Sequence, residues 1–355
     1  MSRDHCDHRD RPMSPGENRV ATAPHSFWSV PLMMETSTRR SGADASTAAR
    51  RFVRVAVVTT AMVAGVLAGG CSVKGLAIRQ LGKALSEGTG GAFASEGDVE
   101  FAGQAVPFSL KLIESLLYEQ PDNPDLLLTA ASGFTQYSYV WVQQPADFLE
   151  AQDFAAATHQ RQRARAFYLR AHRYARHALE LKYARFAATF ERDPVAGAAL
   201  VPKTDVPLLY WAAASLGGAV SLSKTDPDMI ARQPQIEALL DRASALNPDW
   251  SEGALHEFHM SYEPARPSAG ANGARLAREH FERAVALQNG HRASPFVGLA
   301  ESISVQDQNR AEFLSLLERA LAIDPDVNPA NRLANVAMQQ RARWLLDRVD
   351  ELFLE

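Results

Sequence analysis

Two histidines stand three residues apart in His256-Glu257-Phe258-His259-Met260. A helical zinc-protease site places its histidines at i and i+4, on one face, with a glutamate as base. Here the i+4 position is Met260 and no third ligand lies close by in the sequence. A structural or pocket-lining role is therefore expected of this stretch, and no metal site. The stretch 324–335, DPDVNPANRLAN, has acidic and amide residues at loop positions 1, 3 and 5. Pro329 stands where an EF-hand needs glycine and Asn335 where it needs glutamate, so the stretch reads as helix punctuation. GTGG at 88–91 lacks the Lys-Ser/Thr of a phosphate loop, and no Gly-x-Ser-x-Gly elbow occurs. The residues that could do chemistry point to binding, with no enzyme activity and no cofactor.

Cys6 and Cys71 are the only thiols, too few for a disulfide framework or a cysteine-rich metal site. Cys71 closes a pattern of export. Arg50, Arg51 and Arg54 form a positive start, Val55 to Leu67 an apolar run, and small residues follow. The uncharged run ends within sixteen residues, short of the roughly 20 that span a bilayer. Leu67-Ala68-Gly69-Gly70-Cys71 resembles a bacterial lipobox, with Ala68 in the place usually held by leucine. Acylation is the chemistry expected at Cys71, which becomes the mature N-terminus. Each buried methylene contributes about 0.8 kcal/mol, and more than one chain makes attachment stable. Ser72 after the cysteine favours sorting to the outer membrane. Four segments follow: residues 1–50, a disordered extension or a start placed too far upstream; 51–70, a signal peptide; 71–98, the lipid-attachment residue, a short helix and a flexible linker; and 99–355, a helical domain.

The chain of 355 residues is 46% hydrophobic and 22% charged, with a formal net charge of −4. Nucleic acid is excluded as a partner, because phosphate neutralisation needs clustered Lys and Arg. Beyond Cys71 the pattern is all-α, about a dozen helices with apolar residues at i, i+3, i+4 and i+7. Leu110, Ile113 and Leu117 share one face, with Pro107 suited to a first turn. Asn123 suits an N-cap, Pro124 the first helical position, and Asp125 the positive end of the helix dipole. The segment 262–273, with two prolines and two glycines, reads as an exposed connection.

One punctuation recurs. RASALNPDW, RAVALQNGH and RALAIDPDVNP each end an Ala-Leu helix with a turn, and Ala243, Ala284 and Ala320 align at spacings of 41 and 36 residues. The period falls near the roughly 34 residues of tetratricopeptide repeats (TPR). Helical hairpins of a TPR-like kind, stacked into a compact superhelix or bundle, are expected.

The aromatics are the strongest binding signal. Phe134, Tyr137 and Trp141 lie on one helical face, and Tyr210 and Trp211 precede a run of small residues that serves close helix packing or a cavity wall. Tyr137, Trp141, Tyr210, Trp211 and His256 are the candidate ligand or partner surface, since ring faces with a polar edge suit such a site.

The segments AVPFSLKLIESLLYEQPDNPDLLL, GFTQYSYVW, RARAFYLRAHRYARHALE, DVPLLYWAAASLGGAVSLSKTDPDMIA and EGALHEF, and those after them, carry a family likeness. The chain resembles the T-component (TatT) lipoproteins of tripartite ATP-independent periplasmic (TRAP) transporters, from Cys71 to near the C-terminus. The resemblance implies an all-α fold with cryptic TPR-like repeats and a lipid anchor facing the periplasm. It also implies a solute-binding P-component as partner and a homotrimer around a pore. The function it implies is assistance in uptake of a small organic or hydrophobic ligand. A general TPR-like envelope scaffold that binds protein segments is the alternative.

Overall fold

The computed structural model describes residues 91–354. Cys71, the signal at 51–70 and the extension 1–50 lie outside them. Among the described residues every regular element is a helix and there is no strand. None of these helices is long and apolar enough to cross a membrane.

Helix α1 (Val99–Glu119) starts at Asp98, whose side chain accepts a hydrogen bond from the Phe101 N–H. Leu110, Ile113 and Leu117 form its buried face, as their spacing predicts. Pro107 is not in the first turn but inside the helix. The Asp98 cap and the buried Val99 and Ala102 carry the helix two turns further back. That gain outweighs an interior proline's cost of about 3 kcal/mol. In α2 (Pro124–Tyr137) Asn123 caps and Pro124 occupies the first turn, as expected.

A six-residue π-helix, Ser138–Gln143, leads from α2 into α3 (Gln144–Leu149). The 29-residue α4 (Phe154–Lys182) is followed by short α5 (Phe186–Arg192) and α6 (Pro194–Ala199). Then come α7 (Val206–Ser221), α8 (Pro227–Ile230), α9 (Gln233–Leu246), α10 (Trp250–Tyr262) and α11 (Gly273–Leu287). After α12 (Ser294–Leu299) a second π-segment, Ala300–Ser304, precedes α13 (Arg310–Leu321), α14 (Arg332–Asp347) and α15 (Val349–Leu352).

Successive long helices pack as pairs: α2 on α4, α7 on α9, α10 on α11, and α12 with its π-segment on α13. Ala243, Ala284 and Ala320 each lie in the second helix of a pair and are fully buried. The small residues after Trp211 serve close packing. Ala212, Ala213, Ser215 and Ala219 are buried. A methyl group on Gly218 would come within 2.6 Å of the Tyr168 ring. One large core gathers Leu126, Leu179, Leu209, Leu239 and Leu255; a second gathers Phe296, Ile303, Phe313, Leu317 and Leu345. Each such side chain contributes about 1.5–3 kcal/mol when fully buried.

The segment 262–273 is more than an exposed connection. It forms two 3-10 turns, Glu263–Ala265 and Pro267–Asn272, and Glu263 and Ala269 are buried. Its prolines and glycines do break the α-helix, but the turns fold back against α11.

Candidate functional site

The five aromatic and histidine residues singled out by sequence fall into three settings. Trp141 is a peg. Its indole N–H donates to the Val99 carbonyl at 2.7 Å, and a methyl on Gly103 would lie 2.4 Å from its ring. The glycine lets α1 close on the π-segment, and a half-buried indole finds the partner it needs. Tyr137 stacks on Trp141 with centroids 6.2 Å apart and meets Phe167 edge-on at 5.4 Å.

Tyr210 and Trp211 belong to a second cluster. Their rings are edge-to-face at 5.0 Å, and Tyr210 also lies 4.8 Å from Trp250 and 6.3 Å from Phe258. Trp250 and Phe258, both on α10, were not among the residues singled out. All four are partly buried and rest on the larger core. The polar edge comes from α10 and the loop after α11. Gln288 Nε2 donates to Glu257 Oε1 at 2.5 Å, while Gln288 Oε1 and Arg292 Nε are buried with no partner among the described residues. Burial raises the Glu257 carboxyl above the usual range, against the pull of Ser294, Arg292 and Gln288. Burial, and then the Glu257 charge, also push the Tyr210 hydroxyl up, so it stays protonated. This ledge of rings with unspent hydrogen-bonding groups suits an organic ligand or a partner segment.

Helix α10 opens strained. Ser251, Glu252 and Gly253 sit at φ 52°, 54° and 93°, a left-handed turn that costs side-chain-bearing residues energy. Gly253 packs there against Ala284, which a bulkier residue would push away. The turn sends α10 along α11 with His256 and His259 facing His280, away from the aromatic ledge. His256 Nδ1 lies 2.8 Å from His280 Nδ1. The His259 ring stacks on His280 at 4.6 Å, the planes within 9° of parallel. His259 Nε2 meets Ser244 Oγ and its Nδ1 meets Glu263 Oε1, both at 3.0 Å.

Burial is the main force on all three rings. It lowers His256 against the pull of Asp249, and His259 against that of Glu263. It takes His280 down to about 4, helped by the neighbouring His259 and His256. All three are neutral at pH 7. An open cleft of about 480 Å³ adjoins them, lined by Asp241, Ser244, His259, Glu263, Arg266 and His280.

His280 and Glu263 thus supply the neighbours that the sequence around His256 lacks. A signal for His280 was present. LLDRA, HFERA and LLERA align on Ala243, Ala284 and Ala320, and His280 takes the place of the buried Leu239 and Leu316.

A family model described as TRAP transporter T-component matches residues 95–353. An uncharacterized protein of Treponema pallidum (strain Nichols) is 30% identical over 322 residues, covering 85% of this chain and 98% of its own length.

Proposed function

The chain belongs to the TRAP transporter T-component family, and from that premise we propose a non-catalytic accessory subunit that works beside a solute-binding P-component. It assists uptake of a small organic or hydrophobic ligand. The helix pairs stack as TPR-like repeats, and diacylglycerol on Cys71 holds the protein at a membrane facing the periplasm. Three copies assemble around a pore. The matched family is described as a transporter component, which supports a part in transport.

The observation that carries this reading is the ledge of Tyr210, Trp211, Trp250 and Phe258. The Tyr210 hydroxyl and the Trp211 indole N–H make no hydrogen bond to the described residues, whereas Trp141 has committed its own to Val99. Polar edges left open beside partly buried rings are what a ligand or docking segment uses. Tagged chain, extracted in detergent from the cells that make it, is expected to co-purify with a solute-binding protein, and Trp211→Ala to lose it. Recovery of the wild-type chain without any solute-binding protein overturns the proposal.

A further inference from the structure

We propose that His259, Glu263 and His280 bind a divalent transition-metal ion, zinc by the character of the donors, in the cleft between α10 and α11. One ligand atom from each lies within 4.8 Å of the others. Two imidazoles and a carboxylate are a set that zinc accepts with water in the fourth position, whereas calcium and magnesium take oxygen ligands. The imidazoles are neutral, the form that ligates.

Charge around the cleft favours a cation. Among the described residues Arg266 is the guanidinium that Glu263 at 3.1 Å, Asp241 at 2.5 Å and Glu237 at 3.7 Å share. Three carboxylates on one cation leave a surplus of two negative charges beside the rings, which a divalent ion balances. Support for the ligands is already in place. His256 holds one nitrogen of His280, whose Nε2 has no partner among the described residues, and Ser244 holds one nitrogen of His259. Such outer contacts orient ligating rings.

A tetrahedral shell with bonds of about 2.1 Å needs donor atoms about 3.4 Å apart. Near-parallel rings cannot both aim lone pairs at one ion. His280, the more exposed of the two, therefore turns out of the stack on binding and draws nearer to the His259 and Glu263 donors. A purely structural role explains the His259–Glu263 pair. It does not explain why a histidine replaces the leucine of the equivalent helices and then meets a second histidine nitrogen to nitrogen.

The test is calorimetric titration of the chelator-washed full chain with zinc chloride, with Co2+ absorption as a second readout of tetrahedral ligation. One ion per chain is expected. His280→Leu installs the residue of the sister helices, keeps the melting temperature, and is expected to abolish both binding and the Co2+ spectrum. His256→Gln weakens binding by about 10- to 100-fold. No zinc bound by the wild type, or wild-type binding by a folded His280→Leu, overturns the proposal. The second outcome would place the ion elsewhere, for instance on His5, Cys6 or His8 of the N-terminal extension.

Discussion

Arg341 grips Glu301 with two prongs: Nε donates to Oε2 at 2.7 Å and Nη2 to Oε1 at 2.6 Å. The third nitrogen, Nη1, reaches Asp147 Oδ2 at 3.2 Å, so one buried guanidinium on α14 joins the second π-segment to α3. Arg161 approaches Asp147 from the other side at 3.0 Å. Removing one partner from such a buried group leaves charges that water cannot fully solvate, at about 3–5 kcal/mol. Arg341→Met is accordingly expected to lower the unfolding free energy by about 3 kcal/mol in urea titration. A loss below about 0.5 kcal/mol would mean that the network is solvated and holds little.

Trp141 and Trp211 are expected to part company on substitution. Trp141→Phe removes the bond to Val99 and should cost about 1–2 kcal/mol of stability, with partner recovery unchanged. Trp211→Ala should reduce recovery of the solute-binding protein, while circular dichroism shows the helical fold intact. Equal effects of the two on recovery would show that the sequence-derived surface works as a whole.

His172 sets a pH dependence. Its Nε2 accepts from Arg232 at 3.0 Å and its Nδ1–H donates to the Ala212 carbonyl at 3.0 Å, which defines a neutral tautomer. Burial, then the Arg232 charge, lower it to about 4. The folded value lies below the unfolded one, so the unfolded chain binds the proton first as pH falls. Stability is full above about pH 6.5 and is lost between there and pH 4, by about 3 kcal/mol in all. His172→Asn should flatten the fall of melting temperature across that window relative to wild type. His280 titrates in both proteins and cancels in the comparison.

Glu257 points the other way. Its carboxyl is raised by burial, so the charged form is disfavoured in the fold at pH 7 and the penalty vanishes below the unfolded value near 4.3. Glu257→Gln keeps an oxygen for Gln288 Nε2. It is expected to melt higher than wild type at pH 7 and equally at pH 4. Lower partner recovery by this more stable variant would mark the carboxylate as functional, since activity and stability commonly oppose one another at such sites.

The helices, and much of their pairing, were readable because local signals and packing agree. Leu110, Ile113 and Leu117 are spaced for one face, and Asn123-Pro124-Asp125 starts a helix for three separate reasons. Pro107 misled because a distant gain, the buried start of α1, overrode its local preference. Tyr137, Trp141, Tyr210 and Trp211 were identifiable by type, but only the structure separates the committed indole from the open one. His280 is 21 residues beyond His259, across a connection whose glycines and prolines read as solvent-exposed. No spacing rule links residues brought together by a left-handed turn and two 3-10 turns.

The π-helix at Ser138–Gln143 has its own consequence. Its hydrogen bonds span five residues instead of four, so it accommodates one residue more than a regular turn. Side chains after it are offset in phase from those before it. Tyr137 accordingly points to Phe167, while Gln144 reaches Met338 on α14. Excising Val140 alone would restore the ordinary pitch and swing everything downstream by about a third of a revolution, near 100°, carrying Asp147 away from Arg341. A chain one residue shorter would keep its helices and lose the ion pair that ties α3 to α14.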